Sequence, residues 1–470
     1  MTATPDRSST STTTTSNPYL EGNFAPVRHE VTARAGELKV TGSIPVELNG
    51  RYLRNGPNPA GTPEPSTYHW FTGDGMVHGI RLGDGQARWY RNRWVRSGPV
   101  AAQLGEQVPT GTGDVPVHGG LDFGSNTTVI GHAGRTFTLV EAGAVPYELG
   151  DELETIGRCD FGGTLAGGYT AHPKRDPLTG ELFAVSYYWG WGNDVEVTVI
   201  DTGARVRSAR RVAMGGPVSV HDTAITQKWI VLLDLPVLFD LERAAAGTSF
   251  PYRWFDDYQA RIGLLPRDGD STDVIWHDID PCYVFHPMNA YDEPGGDGVV
   301  LDVSRHASMF RTHLLGPNEG APTLERWHLD GHGGQVKEER LDDRGQEFPR
   351  IDERRIGLPY RYGYSVAIAE QGDILGTESG LIRHDLDRGT SEVRRFGAGT
   401  TIGEGVYVPR TDDAAPGDGW VMTLVHEAAA DASALYILNA EDLCGDPQAI
   451  IHLPQRVPAG FHGNWVADLA

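Results

Sequence analysis

The chain has 470 residues, enough for about three domains of typical size or one large all-β domain. Its 60 glycines and 30 prolines far exceed the usual combined share of about 12% and exclude a helical bundle or coiled coil. A hydrophobic share of 39% excludes global disorder, and a formal net charge of −23 opposes both nucleic acid and an anionic membrane surface.

Residues 1–17 form a Ser/Thr-rich tract with no basic or apolar signal region, which reads as a short disordered leader. No later stretch reaches the ~18 consecutive apolar residues of a membrane-crossing helix. Three cysteines, Cys159, Cys282 and Cys444, none in a CxxC pair, offer neither a disulfide framework nor a thiolate metal site. A cytoplasmic, reducing location is the expectation.

Strand signals follow in chain order from Leu38. Arg135–Glu141, Glu181–Tyr188, Asp194–Ile200, Trp229–Leu235, Gly298–Val303, Trp420–His426 and Ala434–Asn439 are short, rich in β-branched and aromatic residues, and bounded by turn formers. Gly-Asp-Gly or Asp-Gly steps at Gly73–Gly75, Asp297–Gly298 and Gly417–Gly419 suit tight hairpin turns, because they tolerate positive φ. One helix is expected, Leu238–Ala246, inside an apolar insertion. Repeated short strands without long helices imply a propeller or large barrel, and residues 18–470 read as one domain.

Four of the 17 histidines occupy compact strand-edge contexts: His172 in Thr170–Pro173, His221 in Ser219–Asp222, His286 in Phe285–Pro287 and His462 in Phe461–Gly463. Their wide separation suits ligands delivered one per strand from a closed β structure, as opposed to paired ligands on one helix. Four imidazoles suit a divalent first-row metal, and carboxylates accepting the remaining ring N–H would orient them. Glu141, Glu347 and Glu404 each stand beside apolar residues, where an unpaired charge is costly. Taken alone, each of these side chains also reads as an ordinary surface or half-buried group.

Beyond these residues the chain resembles the carotenoid cleavage oxygenase family along nearly its whole length. The resemblance is carried by Gly50–Pro59 (GRYLRNGPNP), His69–His78 (HWFTGDGMVH), Glu141–Gly143, Thr170–Lys174 (TAHPK), Phe285–Tyr291 (FHPMNAY) and Phe461–Gly463, in the family's order. It implies a seven-bladed β-propeller capped by a dome of loops and short helices, with non-haem Fe(II) on the propeller axis. It also implies that His172, His221, His286 and His462 are the iron ligands and that Glu141, Glu347 and Glu404 hold three of them, leaving His172 without a carboxylate.

The implied reaction is scission of a conjugated C=C bond by O2, giving two carbonyl products from a carotenoid or apocarotenoid. Cleavage of phenolic stilbenes or related alkenes is the alternative. Stilbene cleavers in the family carry a Tyr and a Lys that engage the substrate's 4-hydroxyl, and the matching positions here are Val100 and Val140. Phe285 and Phe461, with Phe123, Trp276 and Tyr283, are the expected lining of an apolar tunnel. The expected partners are a hydrophobic polyene and O2, with weak peripheral membrane contact through residues 235–255 (Leu238, Phe239, Leu241, Phe250, Trp254, Phe255). A monomer is the expected state.

Overall fold

Short runs of β-branched and aromatic residues separated by tight turns pair with their sequence neighbours, and a sheet of only four such strands must bury both faces against further sheets. In the computed structural model, which describes residues 16–110, 121–165, 167–368 and 379–468, this requirement is met by closure into a ring. Seven antiparallel sheets form the blades of a β-propeller. Blade 2 spans residues 128–158, blade 3 174–213, blade 4 224–278, blade 5 283–342, blade 6 346–395 and blade 7 400–452, the last joined by Val40–Gly42.

Blade 1 is composite. Gly50–Pro57, Gly75–Gly83 and Gln86–Trp94 are completed by Gly463–Ala467 from the other end of the chain, which pairs antiparallel with Gly50–Pro57. The innermost strands of blades 4, 5, 6, 7, 1 and 2 touch one another in turn. Apolar side chains between blades are buried, as in blade 4, where Ile230, Val231, Leu232, Ile262, Leu264 and Leu265 are fully inaccessible.

The strand expectations hold to within a few residues; Asp194–Ile200 is reproduced, and Trp420–His426 extends to Gly419–Glu427. The helix expected over 238–246 is shorter. Val237–Phe239 instead pairs with Tyr252–Trp254 as a two-stranded ribbon, because its β-branched and aromatic residues favour a strand. The helix begins only at Leu241, after the Asp240 side chain accepts from the Arg243 N–H as its cap. Gly73–Gly75 does not turn a hairpin: it ends a 3-10 turn at Trp70–Thr72 and leads into Gly75–Gly83. All three cysteines are free. Most of the expected leader, residues 1–15, lies outside the described residues.

Candidate metal centre

Each functional side chain stands where the chain meets an inner strand. His172 precedes Lys174–Arg175, His221 precedes Ala224–Ile225, His286 lies within Tyr283–Asp292, and His462 precedes Gly463–Ala467. Blades 3, 4, 5 and 1 thus each deliver one imidazole to the axis. All four are buried, and one ring nitrogen from each lies within 4.8 Å of the others.

Three rings are held from behind. His221 Nδ1 lies 2.9 Å from Glu141 Oε1, His286 Nδ1 2.6 Å from Glu347 Oε2, and His462 Nδ1 3.2 Å from Glu404 Oε2. Each carboxylate accepts the Nδ1–H and so leaves Nε2 with its lone pair directed inward. Glu404 is itself fixed by the Gly463 N–H at 2.5 Å and by Arg350 at 3.1 Å. Glu347 also takes the Phe348 N–H and lies 3.2 Å from His306 Nε2. His306 and Arg350 were not singled out from sequence; both sit on strands without a motif of their own.

The electrostatics favour neutral, ligating rings at His172 and His462. Burial and the three neighbouring imidazoles hold His172 well below the ordinary histidine range. Burial likewise lowers His462 to about 4, against the pull of Glu404. His221 is raised instead: burial opposes its charged form, but Glu141 outweighs it. For Glu404 the positive charge of Arg350 and the bond to His462 overcome burial and bring the carboxyl down to about 2. Glu347 is held low by His286 and His306 in the same way.

The donor set fits a metal ion. With both Nδ1 atoms donating to carboxylates, the Nε2 atoms of the neutral His221 and His286 rings turn their lone pairs toward each other 3.3 Å apart, an arrangement that a shared proton or a metal cation relieves. Two nitrogens each about 2.1 Å from one ion at a right angle lie about 3 Å apart. The buried His172 Nε2, moreover, has no hydrogen-bond partner. Imidazole nitrogens suit Fe, Zn, Cu or Ni, and among the described residues the ligand group consists of the four histidines with no carboxylate in it.

On one side the cluster borders an apolar cavity of about 40 Å³, lined by Trp70, Phe71, Pro317 and the phenylalanines Phe285, Phe348 and Phe461. On the propeller side a polar cavity of about 890 Å³ along the inner strands reaches His172, His286 and His462. Of the expected lining, Phe285 and Phe461 face the apolar cavity. Tyr283 stands behind Phe285, ring to ring at 4.9 Å, and its hydroxyl donates to Ser219. Trp276 is on the outermost strand of blade 4 under the Arg261 guanidinium, and Phe123 is half-buried; neither lines the cavity.

Trp70, Phe71 and Phe348 were missed. Trp70 and Phe71 belong to the HWFTGDG segment, and Phe348 directly follows Glu347, as Phe285 and Phe461 adjoin ligands. Phe348 sits at φ 54°, in a break of the register between Glu347 and Arg350, which turns its ring against His286 at 5.5 Å. Val100 packs with Val27, Met76 and Trp94 away from the cavity, and Val140 is buried without lining it.

The insertion at 235–255 is mostly interior: Leu238, Phe250 and Trp254 are buried and Phe239 and Phe255 partly so, with Phe250 stacked on His69 at 4.2 Å. Of the six apolar residues singled out there, only Leu241 is exposed, at 73%; Trp189, exposed at 47%, stacks on Phe239, two residues before Leu241 in the chain. No helix among the described residues is long and apolar enough to cross a membrane.

Residues 24–467 match the family model described as RPE65, retinal pigment epithelial membrane protein. A carotenoid cleavage oxygenase of Mycobacterium tuberculosis is 46% identical over 96% of this chain and 97% of its own. Among solved structures, the lignostilbene dioxygenase of Pseudomonas brassicacearum superposes with a TM-score of 0.84 at 27% identity, covering 96% of this chain and 99% of that one. A cobalt-substituted Synechocystis ACO superposes at 0.82 with 26% identity over 94% of this chain and 97% of its own. A match of this extent, on a seven-bladed propeller with four histidines converging on its axis, places the chain in the RPE65/carotenoid cleavage oxygenase family.

Proposed function

We propose that His172, His221, His286 and His462 hold one Fe(II), and that residues 18–470 act as a single dioxygenase unit cleaving a conjugated C=C bond of a carotenoid or apocarotenoid. The observation that carries this reading is the convergence of four buried imidazole nitrogens at the wall of an aromatic cavity. The metal, when bound, supplies the activation of O2; one alkene and one O2 then yield two carbonyl products without a further reductant.

The protein's own part is to aim and to exclude. Glu141, Glu347 and Glu404 retain the Nδ1 protons, fixing three ring tautomers and raising the basicity of the inward nitrogens. Phe285, Phe348 and Phe461 surround the reacting region with apolar surface, which excludes water and positions a polyene by burial and shape. At about 40 Å³ the cavity admits a diatomic molecule but not a polyene. Substrate must therefore displace side chains that line it, among which are Trp70 and Phe71.

The lignostilbene dioxygenase neighbour supports a second reading, a phenolic stilbene. The cavity lining favours the polyene, because it contains neither Tyr nor Lys to receive a phenolate. Product analysis after incubation with carotenoids, apocarotenals and 4-hydroxystilbenes separates the two: the polyene reading requires aldehyde or ketone fragments from the first two classes. Exclusive turnover of the hydroxystilbenes overturns it. A cytoplasmic monomer that touches membranes through Trp189 and Leu241 completes the proposal.

A further inference from the structure

Three imidazoles are oriented by a carboxylate; His172 is not. Among the described residues no carboxylate lies within hydrogen-bonding reach of its ring, so its aim has to come from its backbone. That backbone is fixed from several directions. The His172 N–H donates to Thr170 Oγ1 at 3.1 Å, and Pro173 fixes its own φ and confines the residue before it to extended conformations. Next comes Lys174, whose Nζ lies 2.8 Å from each oxygen of Asp222. Asp222 is buried, adjoins His221, and accepts the Thr223 N–H through Oδ1 at 2.6 Å.

Resting on the iron reading above, we propose that the Lys174–Asp222 pair is a strap that aims His172 by tying its loop to the loop carrying His221. Lys174 and Asp222 are thus positioning residues of the metal centre. The strap crosses from blade 3 to blade 4 along the wall of the polar axial cavity, one rigid proline away from one ligand and directly beside the other. Lys174 is half-buried and Asp222 buried, and such an ion pair contributes little net stability, so its value here is geometric. It substitutes at the level of the backbone for the carboxylate that His172 lacks at the level of the ring.

The test compares full-length wild type, Lys174→Met, Lys174→Arg and the double variant Lys174→Met/Asp222→Asn, each also in a His172→Ala background. Fe(II) affinity is measured by chelator competition, and ligand-field absorption on the Co(II)-substituted proteins. The double variant leaves no lone buried charge and carries the test if Lys174→Met does not fold. The strap predicts about a 10–100-fold loss of Fe(II) affinity in the double variant, by analogy with other groups that orient ligands. It also predicts an altered Co(II) spectrum, near-complete rescue by Lys174→Arg, and no additional loss when His172 is already alanine.

Wild-type affinity and spectrum in the double variant overturn the strap, whatever its melting temperature. An undiminished loss in the His172→Ala background also overturns it, since the pair would then act elsewhere. Wild-type protein that takes up no metal overturns the iron reading itself, an outcome distinct from both.

Discussion

Glu347 Oε2 lies 2.6 Å from His286 Nδ1, while its other oxygen is held 3.2 Å from His306 Nε2. One buried carboxylate thus spans a ring aimed at the axis and a ring on the neighbouring strand Val299–His306. His306 in turn packs edge-on against Phe285 at 5.3 Å, linking the metal centre to the cavity wall.

A graded loss follows from this arrangement. Glu347→Gln is expected to weaken metal binding or activity about 10–100-fold, whereas His306→Phe, which removes one of the bonds holding the carboxylate, should cost less than Glu347→Gln. Metal affinity of the two variants checks the order; a larger loss from His306→Phe would place His306 closer to the chemistry than Glu347.

Trp70 lines the apolar cavity and packs on Phe461 at 4.5 Å and on Tyr19 at 5.8 Å. Trp70→Ala should widen the cavity, lowering the KM for long apocarotenals, while destabilising the fold by about 3–5 kcal/mol through loss of a buried indole. Steady-state kinetics across a length series, beside a thermal melt, tests both. An unchanged KM for every length would mean that substrate enters elsewhere.

Substrate preference should follow apolar length, because every buried methylene-sized group contributes at most about 0.8 kcal/mol. Removing the 4-hydroxyl from a stilbene should then make little difference to its turnover by the unmodified protein. Efficient cleavage of hydroxystilbenes together with rejection of their deoxy analogues would contradict the apolar lining as the basis of selection.

Asp176 of blade 3 and Arg267 of blade 4 form a buried ion pair between blades. Burial disfavours the charged carboxylate, but the Leu178 N–H, Arg267 and the Thr179 hydroxyl outweigh it and hold the carboxyl below its usual range. A carboxyl whose pKa is lowered in the folded state adds stability above its unfolded pKa of about 4, and this is lost as pH falls further. Asp176→Asn should cost about 3 kcal/mol at neutral pH, and the difference from wild type should shrink below about pH 4. Denaturant melts at pH 7 and pH 3 check the sign.

Membrane contact, if it operates through this face, should depend on Trp189 and Leu241. Flotation of wild type with neutral liposomes, compared with Trp189→Asp/Leu241→Asp, should show less binding by the variant and little effect of salt, since the chain's net charge of −23 offers no attraction to anionic lipid. Equal partitioning would remove this face from the membrane.

What the sequence makes legible is the chemistry that local motifs carry. The four histidines and three glutamates lie in short contexts whose order resembles the family, and the structure brings all seven together. The cavity was legible only in part. Phe285 and Phe461 adjoin ligands, but Phe348 reaches the cavity because a left-handed backbone residue interrupts its strand, which no composition signal announces. Trp276 looked equally aromatic, yet a position on the outer strand puts it under Arg261. The segment 235–255 reads as a membrane-contacting surface, because hydrophobicity alone does not distinguish a surface patch from a ribbon folded inward.

The central claim is that these four imidazoles constitute one Fe(II) site required for oxidative cleavage. The most direct measurement is anaerobic Fe(II) titration of metal-free protein, followed by admission of O2 with an apocarotenal, for wild type and for each single His→Ala variant at 172, 221, 286 and 462. The account predicts one iron per wild-type chain and two carbonyl fragments per O2 consumed, with turnover abolished and Fe(II) affinity lowered in every variant. A His462→Ala protein with wild-type iron content and wild-type turnover would contradict it.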